Sequence, residues 1–149
     1  MKLQDDLREF IELLNAHGVR YVIVGGFAVA FHGHPRYTGD IDLFVEASEA
    51  NSQRIARVLH DFGFGETGLT AADFAREGVI VQLGRPPNRI DLITSIDAVG
   101  FPEAWADRVE ATLGAVPVLF ISKELLLKNK AAAKRAQDIA DIDAMGEPS

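Results

Sequence analysis

YVIVGGFAVAFHGHPRYTGDIDLFVE, residues 21–46, is the stretch that decides the reading of this chain. An apolar, β-branched run ends in Gly25-Gly26. A short helix-like segment, 27–32, follows, and Gly33-His34-Pro35 stops it. Asp40-Ile41-Asp42 then leads into a second apolar run, 41–45. Side chains two apart on a strand share a face. Asp40 and Asp42 therefore project together, while Ile41 turns to the core. Two neighbouring carboxylates repel and are poorly solvated unless a cation joins them. Oxygen ligands suit Mg²⁺ or Mn²⁺, which keep waters and accept substrate phosphate oxygens as further ligands. Gly25 and Gly26 suit the phosphate side. Without a Cβ the backbone approaches a triphosphate closely, and amides at the start of the following helix donate to it.

A third carboxylate comes later, in RIDLIT, residues 89–94. Ile90 and Leu92 point one way and Asp91 the other. If this strand neighbours that of Asp42, the three carboxylates hold two metals roughly 3.5–4 Å apart, one at the attacking oxygen and one at the leaving phosphate. Asp91 then takes or polarises the proton of an incoming hydroxyl. A lone D-x-D or a lone Gly-Gly is a weak signal. The order strand, glycine pair, short helix, D-x-D, later isolated Asp is far more restrictive.

Outward from this stretch the pattern alternates. Residues 3–16 show helical spacing, with Leu3, Leu7, Phe10, Ile11 and Leu14 on one face, and His17-Gly18 as a stop. A strand is expected over 19–24. Ser48 caps a helix over 50–62. Residues 63–68 are glycine-rich, and 70–73 start a short helix. Strands over 79–83 and 89–94 form a hairpin around 84–88. A short helix begins near Pro102. A further strand pair, 108–113 and 116–121, turns at Gly114-Ala115. Ser122 caps a helix that the alanine- and lysine-rich composition predicts to run from Lys123 through Met145. The expected fold is α/β (α+β), a mixed β-sheet with helices packed on it. One domain is expected over 1–149, with its core at 19–145.

Composition narrows the function classes. A chain of 149 residues, 48% apolar, is long enough for a real core. It has no cysteine, which excludes disulfides, thiolate metal sites and cysteine catalysis. That fits a reducing, cytoplasmic setting. The acids in MKLQDDLREFIELL argue against a signal peptide, and no apolar run approaches the roughly 18 residues of a membrane span. The net charge of −7 argues against general DNA or RNA coating. Arg85, Arg89, Lys123, Lys128, Lys130, Lys134 and Arg135 are candidates for a local phosphate patch. No G-x-S-x-G and no G-x-x-x-x-G-K-[ST] is present, which excludes the usual serine-hydrolase and P-loop patterns. His32 and His34 form an H-x-H without an evident third ligand, so a turn role is expected. Arg36 and Thr38 are candidates for a phosphate contact and a loop bond. Trp105 and Phe101 are expected to pack rather than to stack on a base.

Val24-Gly25-Gly26, Asp40-Ile41-Asp42 and Asp91 together resemble the nucleotidyltransferase superfamily of DNA polymerase β. GGFAVAFHGHPRYTGDIDLFV, RPPNRIDLITSI and LLLKNKAAAKRAQDIADIDAM resemble more closely the small bacterial minimal nucleotidyltransferases related to abortive-infection toxins. The likeness covers most of residues 20–145. It implies Asp40 and Asp42 as metal ligands, Asp91 as the third catalytic carboxylate, Mg²⁺ or Mn²⁺ as cofactor and an NTP as donor. It implies transfer of an NMP to a hydroxyl on an RNA 3′ end, a protein or a small molecule, with a toxin role by analogy. In that group a basic residue precedes a lysine-aspartate pair near the C-terminus. Lys130, Arg135 and Asp138 stand at comparable places, but Gln137 replaces the lysine, and Lys134 and Ala136 replace the common glycine and proline. Lys128 and Lys130 are the expected phosphate contacts, beside Gly25 and Gly26. The chain lacks the large second domain of bigger relatives, so a partner protein or a homodimer is expected to complete the acceptor site. The competing reading is a non-catalytic nucleotide-binding or antitoxin-like module. The presence of all three carboxylates favours the enzyme.

Overall fold

The computed structural model describes residues 5–33, 39–63, 70–84 and 89–145. Thirteen elements are present among them. They are α1 (Asp5–Ala16), β1 (Tyr21–Val24), α2 (Gly25–Phe31), β2 (Ile41–Val45), α3 (Glu49–Phe62), a 3₁₀ turn (Ala71–Phe74), β3 (Ile80–Leu83), β4 (Ile90–Ile93), α4 (Phe101–Ala106), β5 (Val109–Leu113), β6 (Val116–Phe120), α5 (Lys123–Ala133) and α6 (Ala136–Ala144). The strands form one mixed sheet in the order β3-β4-β2-β1-β6-β5. β1 is antiparallel to β2 and parallel to β6, and β2 is parallel to β4. This is the α/β class expected. Arg85, Arg36, Thr38, His34 and Pro35, most of the glycine-rich segment and of the hairpin connection, and the last four residues lie outside the described residues.

Local chemistry explains most boundaries. Gly18, at φ 67°, ends α1: its N–H donates to Asn15 O and the Val19 N–H to Leu14 O. That paired closure is the Schellman arrangement, which glycine favours because it lacks a Cβ. Val19 is used there, so β1 starts at Tyr21 and not at 19. The Ser48 hydroxyl accepts the Asn51 N–H at 3.1 Å and starts α3, and the Ser122 hydroxyl accepts the Leu125 N–H at 3.2 Å and starts α5. Each such cap contributes about 1 kcal/mol. The core runs along the sheet: Tyr21, Val22, Ile23, Ile41, Leu43 and Leu92 are fully buried, and α1 adds Phe10, Ile11 and Leu14. Phe101 packs edge-on against Phe44 at 5.2 Å and stacks on Trp105, over which Arg108 lies at 4.0 Å. Both aromatics are packing residues. His32 donates from Nε2 to the Ile121 carbonyl at 2.6 Å, and burial lowers its pKa. Its ring ties α2 to the end of β6.

The largest departure from expectation is at the C-terminal end. The predicted single helix from Lys123 to Met145 is two helices. Lys134 adopts φ 55°, ψ 23°, and α5 ends there with the Lys134 N–H on Lys130 O. A left-handed lysine costs roughly 1–2 kcal/mol. The fold-back is held by Lys130, whose Nζ lies 3.2 Å from Asp138 Oδ1 and 2.9 Å from Asp141 Oδ2. In a straight helix, positions 130 and 138 would stand about 12 Å apart along the axis. Composition favours helix throughout but carries no information about this buried ion pair.

Candidate active site

β1, β2 and β4 bring the predicted residues to one end of the sheet. Val24 faces Asp42 across the antiparallel β1–β2 pair, and Asp42 faces Asp91 across the parallel β2–β4 pair. The two carboxylates are therefore register neighbours on one face, close enough for the charge of one to act on the other. Asp40 precedes β2 on the same side. These three, Gly25, Gly26, Arg89 and Lys130 all line one open cleft of about 700 Å³. Its far wall is α5 and the start of α6.

Gly25 is the closest fit in the site. It sits at φ 68°, and a Cβ there would collide with Asp42 Oδ2 and come within 3.0 Å of its Cγ. The glycine is thus required twice, by its backbone conformation and by the carboxylate beside it. The expected role of Gly25 was close approach to phosphate; the contact seen is with Asp42. Val24, at the start of α2, provides no side-chain cap.

The electrostatics of the cleft are tense. Burial, then the hydrogen bond and charge of Asp91, then the charge of Asp40, push the Asp42 carboxyl up to about 7, against an opposing pull from Arg89. Such crowding is what a divalent cation relieves. The donor set is all oxygen, as Mg²⁺ or Mn²⁺ requires. Asp40, Asp42 and Asp91 are therefore the residues that would hold one. Yet no group of three His, Asp or Glu side chains is gathered as a ligand set among the described residues.

Two of the three carboxylates are held by Arg89 instead. It was legible in the sequence only as one basic residue among seven. Its Nε donates to Asp91 Oδ1 at 2.9 Å, its Nη2 donates to Asp91 Oδ2 at 3.1 Å, and Nη2 also lies 3.2 Å from Asp40 Oδ2. The hydrogen bond to Asp91 raises the guanidinium pKa further above its usual value. The signal available was the spacing: Arg89 and Asp91 are two apart at the start of a strand, hence on one face. Gln82, opposite Asp91 on β3, was also missed, because only the β3–β4 register brings it to the cleft.

Lys128 and Lys130 separate. Lys128 reaches out from α5 to the exposed Glu103, at 3.0 Å, and does not line the cleft. Lys130 lines it but is buried, with its ammonium between Asp138 and Asp141. Arg135 Nε holds the other Asp138 oxygen at 2.7 Å, and its side chain, 76% exposed, also lines the cleft. Burial works to raise the Asp138 carboxyl, but hydrogen bonds from Arg135 and Lys130 outweigh it and hold it below the usual carboxylate range.

Several solved structures share this fold. The lincosamide antibiotic adenylyltransferase LnuA, in a lincomycin-bound crystal structure, superposes with a TM-score of 0.59 at 16% identity over 100% of both chains. The antibiotic-resistance factor ANT(2'')-Ia gives 0.59 at 14% identity, over 94% of this chain and 80% of that one. A Thermotoga maritima protein, provisionally described as a nucleotidyltransferase, gives 0.63 at 14% identity, over 92% and 88%. A comparison with curated proteins found no match. Residues 2–146 match the family described as "Nucleotidyltransferase of unknown function (DUF6036)". With nearly the whole chain matched, and with a fold shared with nucleotidyltransferases, this protein belongs to that nucleotidyltransferase family.

Proposed function

We propose that this protein transfers a nucleoside monophosphate from an NTP to the hydroxyl of a small molecule, in a metal-dependent reaction. The observation that carries the reading is the register of Asp42 with Asp91 on parallel strands, with Gly25 shaped to leave room for the Asp42 carboxylate. Asp40, Asp42 and Asp91 would hold the divalent cations, which when bound would neutralise the triphosphate and acidify the acceptor hydroxyl.

The chain's own residues do the rest. Gly25 and Gly26, at the uncapped start of α2, seat the triphosphate on the β1 side of the cleft. Asp91, on the β4 side, takes the proton of the acceptor hydroxyl. The hydroxyl oxygen bonds to the α-phosphorus, the bond from that phosphorus to the β-phosphate bridge breaks, and pyrophosphate leaves. Donor and acceptor thus approach from opposite sides of Asp42. Arg135, exposed on the cleft wall and steadied by Asp138, offers a further cation for phosphate.

The acceptor class follows from size and charge. A cleft of about 700 Å³ lies within the range of small-molecule sites and has to take the nucleotide as well. A chain of net charge −7 does not attract a long polyanion. The likeness to a lincosamide antibiotic adenylyltransferase and to ANT(2'')-Ia, solved in complex with adenylyl-2''-tobramycin, points the same way. RNA or protein, as in a toxin role, is the other outcome of the test. Each α-³²P-labelled NTP is incubated with protein, Mg²⁺ or Mn²⁺ and three fractions of a cell extract: metabolites, RNA and protein. Label in the metabolite fraction with wild type and none with Asp42→Asn supports the proposal. Label in RNA or protein redirects the acceptor. No transfer in any fraction, despite metal-dependent NTP binding, turns the reading toward a nucleotide sensor.

A further inference from the structure

Arg89 does more than add a positive charge to the cleft. Its guanidinium satisfies both oxygens of Asp91 with a two-pronged fork, at 2.9 and 3.1 Å, and bridges to Asp40 at 3.2 Å. Two of the three cleft carboxylates are thereby tied to one cation that the chain itself supplies. Paired, fork-shaped contacts of this kind are among the stronger hydrogen bonds in proteins. An arginine does not lose its proton at any working pH. The fork is therefore released only by competition. The Arg89 side chain is 29% exposed and lines the cleft just before β4, so its head has open space to move into. Asp42, the third carboxylate, is left crowded against Asp91 without a bond to the guanidinium.

We infer that Arg89 is a resident counter-ion of the carboxylate site, which a divalent cation must displace, and that the nucleotide's triphosphate receives the displaced guanidinium. This rests on the reading of Asp40, Asp42 and Asp91 as the metal site. The consequence is coupling. Metal alone has to break the Arg89 fork with nothing offered in return, so it binds weakly. Metal and nucleotide together give both the carboxylates and the guanidinium an opposite charge, so each strengthens the other. The carboxylates thus stay neutralised until a donor arrives with its cation. Arg89 binds the donor's phosphates in this scheme and takes no part in bond making.

The alternative is that the fork persists and merely orients Asp91. The two differ in solution. Mn²⁺ binding is followed by the EPR signal of the free ion, with and without α,β-methylene-ATP, for wild type, Arg89→Gln and Asp42→Asn. In wild type labelled with ¹⁵N, the Arg89 Nε–H resonance is followed with Mg²⁺ and the same analogue, and is assigned by its loss in Arg89→Gln. Displacement predicts that Arg89→Gln binds Mn²⁺ alone more tightly and loses part of the metal–nucleotide coupling, by a factor within the about 5–150-fold typical of coupled sites. It also predicts that the Arg89 Nε–H signal moves and exchanges faster with solvent only when metal and analogue are both present. An unmoved Nε–H signal in the ternary complex overturns the inference, whatever the variant does. So does equal coupling in wild type and Arg89→Gln. If Mn²⁺ binds neither wild type nor Arg89→Gln under any condition, the metal-site reading fails and takes this inference with it. Loss of Mn²⁺ binding in Asp42→Asn alone keeps the two failures distinguishable. Should Arg89→Gln not fold, Arg89→Lys assigns the resonance by the same loss, and the wild-type signal then decides the question.

Discussion

Replacing Lys130 by methionine tests whether this residue serves the fold or the phosphate. The substitution keeps the apolar stem and removes the ammonium. In the native chain that ammonium is 3.2 Å from Asp138 and 2.9 Å from Asp141, and the three side chains are only 5%, 1% and 3% exposed. Removing one partner of a buried ion pair typically costs about 3–5 kcal/mol, because a charge is left behind in a poor solvent. Here the loss is softened. Asp138 keeps the Arg135 fork, and Asp141 keeps the Gln137 amide at 2.8 Å. The lower end, about 3 kcal/mol, is therefore expected. For a chain of this size that corresponds to a fall in Tm of about 6–12 °C. Urea denaturation at pH 7 followed by far-UV circular dichroism gives the free energy, and a thermal melt gives the Tm. Binding of a fluorescent NTP analogue is measured in parallel, well below the melting range. A loss under about 1 kcal/mol with nucleotide affinity collapsed would refute the structural role and make Lys130 a phosphate contact. Lys128→Ala is the companion control. Its exposed pair with Glu103 is worth at most about 1 kcal/mol, and it does not line the cleft, so neither stability nor nucleotide affinity should change appreciably.

Gly25→Ala should lose transfer and also stability, by at least roughly 1–2 kcal/mol for an alanine at positive φ, with the contact against Asp42 added; wild-type stability in urea would refute the close approach. Asp42→Asn should raise the Tm at pH 8 in the absence of metal. The folded-state pKa of Asp42 lies above its unfolded value, so its ionisation destabilises the fold progressively from about pH 4 to about 7 and fully beyond, and an amide escapes this. An unchanged or lower Tm would mean the carboxylates are not in conflict. Asp138 has the opposite sign. Its folded pKa is depressed, so its contribution is fully present above about 3.9, the ordinary value, and is lost as pH falls through the folded one. Asp138→Asn should therefore flatten the acid limb of the stability–pH profile, and an unaltered limb would count against the network.

Much of the scaffold was legible because its signals are local. Gly18 closing α1, Ser48 opening α3 and Ser122 opening α5 act within five residues, and their geometry matches the expectation. Alternation located β2 and β4 and set Ile41, Ile90 and Leu92 against the core, leaving Asp42 and Asp91 on the other face. That these two carboxylates meet was conditional on strand order, which periodicity does not contain. The same holds for Gln82. Arg89 was visible as a basic residue, but its choice of Asp91 and Asp40 over solvent or phosphate was not.

The C-terminal segment marks the boundary between the two kinds of information. By itself the sequence determined which segments are helix or strand, which faces are apolar and which residues carry oxygen ligands, since these depend on neighbours along the chain. Only the tertiary structure decided that Lys134 breaks the last helix, that Lys130 is buried between Asp138 and Asp141, and that Arg89 closes on the cleft carboxylates. A charged side chain taken out of water must find a partner, and the partner's identity is a matter of distance in space, which no local pattern encodes.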